Sequence, residues 1–282
     1  MKEQSSGLYA QTLAENGFVT LAFDPSYTGE SGGQPRNVAS PDINTEDFSA
    51  AVDFLGLQKE VDRNRIGILG ICGWGGMALN AASMDTRVKA VATSVMYDMS
   101  RAMGHGVGDG KDRYSTSDRR AVLQYLNAQR WKDAENGTFA HGGHDIYVDE
   151  NGKVTAAERI LPEALPDNPN PVLKEFFDYY RMPRGFHARS VNSTGAWTAT
   201  TPLSFMNMPL LSYGREITIP TLIVTGEKAH SRYFAEDAFK AVGSKQKQLV
   251  IVPGANHVDL YDNAAGKIPF AQFEQFFKNS LK

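Results

Sequence analysis

The chain has 282 residues, 41% hydrophobic and 22% charged, with a formal net charge of −3. These values fit one large globular domain, or a domain carrying an insertion. They exclude long basic runs for nucleic acid or anionic membranes, an apolar stretch near the roughly 20 residues of a bilayer span, and, with one cysteine, an internal disulfide framework.

In chain order, Leu8, Tyr9 and Leu13 recur at helical spacing up to Asn16-Gly17, a helix stop. Phe18–Phe23 is a β-rich run ending at Asp24-Pro25, followed by the glycine-rich loop Tyr27–Gly33. Asn44–Asp47 reads as a helix start, with Phe48, Ala51, Val52 and Leu55 on one face. Ile66–Ile71 predicts a strand, a helix follows through Ser83, and Val88–Val95 predicts the next strand. The rhythm breaks between about Met99 and Arg215, with helical pieces at Arg119–Trp131 and Pro171–Tyr180. It resumes with a strand at 221–225, a helix near Phe234–Val242, a strand at Gln248–Val252 and a last amphipathic helix at Phe270–Leu281.

Alternating strands and helices predict an α/β fold, a mostly parallel doubly wound sheet. The interrupted middle is too long for a loop and predicts an inserted helical cap. The expected division is a core of 1–98 and 216–282 with a cap at 99–215.

Three pieces fall at carboxyl ends of strands, where open α/β sheets bind ligands. Cys72 stands between the strand and Gly73-Trp74-Gly75-Gly76, the layout of a nucleophile elbow with sulfur in place of the usual hydroxyl. Gly226–His230 follows a later strand, and Pro253–His257 follows the last. Nucleophile, acid, histidine is the chain order of hydrolytic triads on such sheets. Cys72 is the expected nucleophile and His257 its base. Glu227 is the expected orienting carboxylate, with Asp259 and Asp262 as rivals near the histidine. The Gly73 N–H is placed to bind an oxyanion, and the helix start favours a thiolate with a depressed pKa at Cys72. Tyr27, Trp74 and Trp197 are candidate substrate contacts, although Trp197 equally suits packing of the cap.

The segments Phe23–Ser31, Gly70–Gly76, Gly226–Ser231 and Asn256–Asp262 resemble the α/β-hydrolase superfamily, most of all its dienelactone-hydrolase-related branch with its polyketide transferase-like members. The resemblance implies a cysteine–histidine–acid hydrolase with Cys72 and His257 in those roles. Three departures accompany it. Trp74 stands where a small residue is usual, and Ala229 stands where the acid is usual. The strands and the second oxyanion donor that the resemblance implies before the first helix are absent from this stretch, as expected of a piece of a longer product, of a gap filled by a neighbouring molecule, or of a sheet that closes without them.

The expected function is therefore cleavage of a small acyl ester, lactone or thioester through a Cys72 acyl-enzyme, with no cofactor and no metal. Alternatives are a polyketide-type acyltransferase or a non-catalytic ligand-binding protein on a hydrolase scaffold. A cytoplasmic location, a small-molecule acyl partner, no nucleic acid or membrane partner, and compatibility with a homodimer complete the reading. Residues 147–158 partly match a calcium loop, but a β-hairpin on Asn151-Gly152 explains them more simply. His141 and His144 lack a third ligand.

Overall fold

The structure is a computed structural model and describes residues 1–108 and 110–282. The chain forms two compact units. One comprises Lys2–Phe23, Asp42–Asp98 and Leu210–Lys282; the other comprises Met1, Asp24–Pro41 and Met99–Pro209.

The first unit is built on a parallel sheet of β1 (Gly67–Ile71), β2 (Ala90–Ser94), β3 (Thr221–Gly226) and β4 (Lys247–Val252), in the order β1-β2-β3-β4. Every residue of β2 and β3 is buried. This is why both read as runs of small, aliphatic and threonine side chains with no alternating polar face. The helices are α1 (Ser5–Glu15), α2 (Pro41–Gly56), α3 (Gly73–Met84), α4 (Arg232–Ala241) and α5 (Phe270–Ser280). Because all four strands run parallel, the carboxyl ends of β1, β3 and β4 lie along one edge of the sheet, which places Cys72, Ser231 and His257 there.

Tyr9 fastens α1 to this end of the unit. Its ring meets Phe270 and Phe273 of α5 edge-on, with centroids 5.2 and 5.5 Å away. Its hydroxyl donates to the Leu260 carbonyl at 2.8 Å and pairs with Ser94 Oγ at 2.7 Å. The link joins α1, the end of β2 and the turn that carries His257.

One expected strand is corrected. Phe18–Phe23 forms no ladder, and among the described residues β1 is an edge of the four-stranded sheet. β-rich composition supplies side chains that suit a pleated surface, but a strand exists only when a neighbour takes up its backbone hydrogen bonds. The expected helix start at Asn44 also moves, because α2 already begins at Pro41. Proline suits a first helical turn, where its missing N–H has no intrahelical acceptor to lose.

In the second unit the longest helix spans Thr116–Asn136, beyond the predicted Arg119–Trp131. Ser115 and Asp118 close a reciprocal capping box that fixes its start. Pro171–Tyr180 forms the helix predicted for those residues. Ile146–Val148 and Val154–Ala156 pair as an antiparallel hairpin, whose turn amides at Asn151 and Lys153 donate to the Asp149 carboxylate. The glycine-rich loop belongs to this unit. The Thr198 amide donates to the Asn37 carbonyl at 2.8 Å, and Glu30 pairs with Arg189 at 3.2 Å.

Candidate active site

Cys72 is the hinge between β1 and α3. Its backbone adopts φ 56° and ψ −129°, a region that costs a non-glycine residue on the order of 1–3 kcal/mol. Three hydrogen bonds hold it there: its amide donates to the Ser94 carbonyl at 3.0 Å, and its carbonyl accepts from the Tyr97 amide at 2.9 Å and the Gly75 amide at 3.0 Å. The turn needs glycine at position 76, where a Cβ would sit 2.6 Å from the Tyr97 carbonyl oxygen. Sequence pattern and backbone thus agree on a strained strand–turn–helix elbow that presents one thiol.

His257 lies three residues beyond the turn after β4 and is fully buried. Its ring nitrogens pair with hydroxyls. Nδ1 pairs with Ser231 Oγ at 2.6 Å, and Nε2 pairs with the Tyr261 hydroxyl at 2.9 Å. Tyr261 and the Gly73 amide both act on the Cys72 thiol, each favouring its ionised form. The imidazole is thus held between two hydroxyls, those of Ser231 and Tyr261. Two more rings press on it. His230 lies 5.1 Å and Tyr97 5.2 Å from His257, centroid to centroid, and the Tyr97 hydroxyl bonds His230 Nε2.

The electrostatics correct one expectation. Burial pushes the Cys72 thiol above its ordinary range, and the hydrogen bonds from Tyr261 and Gly73 pull only part of the way back. Desolvation outweighs the helix start, so the resting group is a neutral thiol rather than a thiolate. His257 is held well below the ordinary histidine value, first by burial and then by the charge of His230. It rests as a neutral base.

This imidazole makes folding sensitive to acid. The folded chain refuses a proton that the unfolded chain accepts below about pH 6.5, so stability is lost as pH falls through that value. This one group therefore makes the fold less stable at about pH 5.5 than at about pH 7.5. Melting curves at both pH values are expected to show a smaller acid shift for His257→Gln than for the unsubstituted protein. Equal shifts would mean that His257 takes up protons equally in both states.

The site residues expected from sequence separate into three groups. Cys72, Gly73 and His257 come together around Tyr261. Glu227 does not join them: it is exposed, and its carboxylate accepts from the Gly254 amide at 2.7 Å. It stands one residue past the end of β3 and turns outward to cap the loop after β4. Ser231, buried just before α4, fills the place beside Nδ1. Of the rival acids, Asp259 is bound to the Asn256 amide and Lys267, and Asp262 caps Ala264. Trp74 lies half-buried in the first turn of α3. Tyr27 and Trp197 lie in the second unit, both half-buried, with Tyr27 at φ 68° and Trp197 paired with Gly142 in a two-residue ladder.

Ser231, Tyr261, His230 and Tyr97 escaped the residue-by-residue reading. One signal was available for Tyr261: it follows His257 by four residues, one helical turn, which brings the two side chains to the same face.

This elbow, with a histidine after the last strand of a parallel sheet, defines a hydrolase-type α/β protein. The profile of the Alpha/beta hydrolase family matches residues 5–266, and the chain belongs to that family. It is 57% identical over 282 residues to the Pseudomonas aeruginosa protein PA2218, covering 100% of this chain and 70% of that one. The crystal structure of PA2218 superposes with a TM-score of 0.89, covering 100% of this chain and 81% of that one. YcjY of Escherichia coli is 34% identical over 266 residues, 94% of this chain and 80% of its own. A local match of 39% over 82 residues links it to the thiohydrolase aneE of Aspergillus aculeatus, covering 29% of this chain and 26% of that one. Among the described residues no helix is long and apolar enough to cross a membrane.

Proposed function

We propose that the protein hydrolyses a small acyl ester, lactone or thioester through a covalent Cys72 acyl-enzyme. The observation that carries this reading is the strained elbow at Cys72, beside Tyr261, the partner of the buried base His257. A positive-φ cysteine held at the end of a parallel strand costs stability, which suits a group kept for chemistry. The local likeness to a protein named a thiohydrolase favours a thioester among the three substrate classes.

In this mechanism the sulfur attacks the acyl carbon as its proton leaves toward His257, and the carbonyl electron pair moves onto oxygen. The Gly73 amide, which rests on the sulfur, is the donor beside that oxygen. Collapse expels the alcohol or thiol, which takes the proton from His257, and water then releases the acyl group by the same path in reverse. Because His257 rests neutral, it can accept a proton without first losing one.

The experiment is acyl trapping. The chain holds a single cysteine, and trypsin releases it on the peptide 66–87. After brief reaction with p-nitrophenyl butyrate or a butyryl thioester and an acid quench, that peptide is expected to gain one butyryl group. Turnover with an unmodified peptide at every quench time would dismiss the cysteine route. Acyl release to an added alcohol in preference to water would assign the protein to acyl transfer instead.

A further inference from the structure

We propose that Ser231 is a positioning residue for the base, its hydroxyl holding the imidazole of His257 and accepting the Nδ1–H when the ring is protonated. The proposal rests on the reading of Cys72 as nucleophile and His257 as its base. It goes beyond that reading because it gives the post beside Nδ1 to a neutral hydroxyl, where a carboxylate was expected. The observation behind it is the 2.6 Å pairing of Ser231 Oγ with Nδ1, between two fully buried residues.

Ser231 directly precedes α4, where a serine ordinarily accepts from an amide of the first helical turn. Its side chain makes no such bond and turns to the imidazole instead. Backbone bonds fix the spacing of the two loops. The Glu227 amide donates to the Val252 carbonyl at 3.0 Å, and the Lys228 amide donates to the Ala255 carbonyl at 2.8 Å. The segments that lead to Ser231 and to His257 are therefore joined just before both residues. The Phe234 amide donates to the Ser231 carbonyl at 3.1 Å and seats the serine on the first turn of α4.

The hydroxyl matters most when the ring is charged. As the acyl-enzyme forms, the S–H electron pair becomes the C–S bond, the carbonyl π pair moves to oxygen, and the thiol's proton ends on His257. The imidazolium then carries an N–H at each ring nitrogen. Nε2–H meets the Tyr261 oxygen at 2.9 Å, and Nδ1–H meets Ser231 Oγ. Removing Ser231 Oγ takes an acceptor from a buried, charged N–H, whereas the neutral ring can keep its single proton on Nε2. The groups facing the imidazole are Ser231, His230, Tyr97 and Tyr261, and none of these four is a carboxylate. A carboxylate beside the ring would raise its pKa; a hydroxyl leaves burial and the charge of His230 to hold it down.

The test uses the full chain with Ser231→Ala and Ser231→Thr, in single-turnover acylation by p-nitrophenyl butyrate. Ser231→Ala is expected to lower the maximal acylation rate about 30-fold and to leave the half-saturating ester concentration within about twofold, because the serine acts on substrate only through His257. Ser231→Thr keeps the hydroxyl and is expected to hold the rate within about fivefold of the parent. In the unsubstituted protein the acid limb of the acylation rate, which reports protonation of His257, is expected below about pH 6.5, the ordinary histidine value. A Ser231→Ala rate within about twofold of the parent, a Ser231→Thr rate slower than the stated bound, or an acid limb above that pH would each overturn the positioning role. Should Ser231→Ala fold poorly, Ser231→Thr and the acid limb of the unsubstituted protein decide. A Cys72 adduct that forms equally fast in Ser231→Ala and its parent defeats the role of Ser231 and leaves the acyl-enzyme standing, whereas no adduct in the unsubstituted protein defeats the acyl-enzyme itself.

Discussion

Replacing Cys72 with alanine is expected to lower kcat/KM on acyl esters and thioesters by about 1,000-fold or more, with little change in melting temperature. The two halves of this result have separate causes. The thiol is the only group in the proposed mechanism that forms a bond to the substrate, and removing one member of such a unit costs nearly as much as removing all of it. The fold near Cys72 is held by backbone bonds to Ser94, Tyr97 and Gly75, none of which uses the side chain. Alanine also loses less than most residues in the strained backbone, because it has no atoms beyond Cβ to place. Cys72→Ser should fall between the two proteins, since a hydroxyl is harder to deprotonate in the same buried setting. Initial rates with p-nitrophenyl butyrate and a butyryl thioester, read beside melting curves, check both halves. Retention of more than a tenth of the rate in Cys72→Ala would remove the thiol from the chemistry.

Gly226→Ala is expected to damage both stability and activity, because it strikes the loop that leads into His257. A Cβ on this last residue of β3 would lie 2.3 Å from the Ala255 carbonyl oxygen and 2.8 Å from that of Asn256. Both are backbone atoms, so no side chain can turn aside. The Ala255 carbonyl is further held by the Lys228 amide at 2.8 Å. The loop that leads into His257 must therefore move bodily. Overpacking of this kind costs about 1–3 kcal/mol or somewhat more. A shift of about 1 Å in a catalytic group can cost on the order of 100-fold in rate. Thermal denaturation together with acylation kinetics checks the pair, and a variant that melts and reacts like its parent would show that the two strand ends have room to spare.

The elbow was legible because it is local. Cys72, its flanking glycines and the apolar run before them are consecutive, and the strand–turn–helix geometry follows from a few adjacent backbone choices. The two central strands were legible for a similar reason: a strand buried on both faces must be apolar throughout, and β2 and β3 are. Phe18–Phe23 shows the limit. Its composition is as β-prone as theirs, yet it lies outside the ladder, because pairing depends on what stands alongside and not on the segment alone.

The triad acid marks the same boundary within the site. Chain order pointed to Glu227, a carboxylate in the right loop, and the fold turned that side chain toward Gly254. Ser231 reached Nδ1 because it is buried at the start of α4, four residues further on. The state of the thiol was misjudged for a related reason: a helix start can be read from sequence and favours a thiolate, whereas the burial that overrides it cannot.

By itself the sequence determined the parallel α/β plan, the family, the residue at the elbow and the histidine after the last strand, since each depends on periodicity, turn chemistry or order along the chain. The tertiary structure alone decided which groups meet the imidazole, that the phenol partnering the base also acts on the thiol, and that both rest uncharged. Those outcomes depend on direction and desolvation, which arise only when segments far apart in the chain are packed against one another.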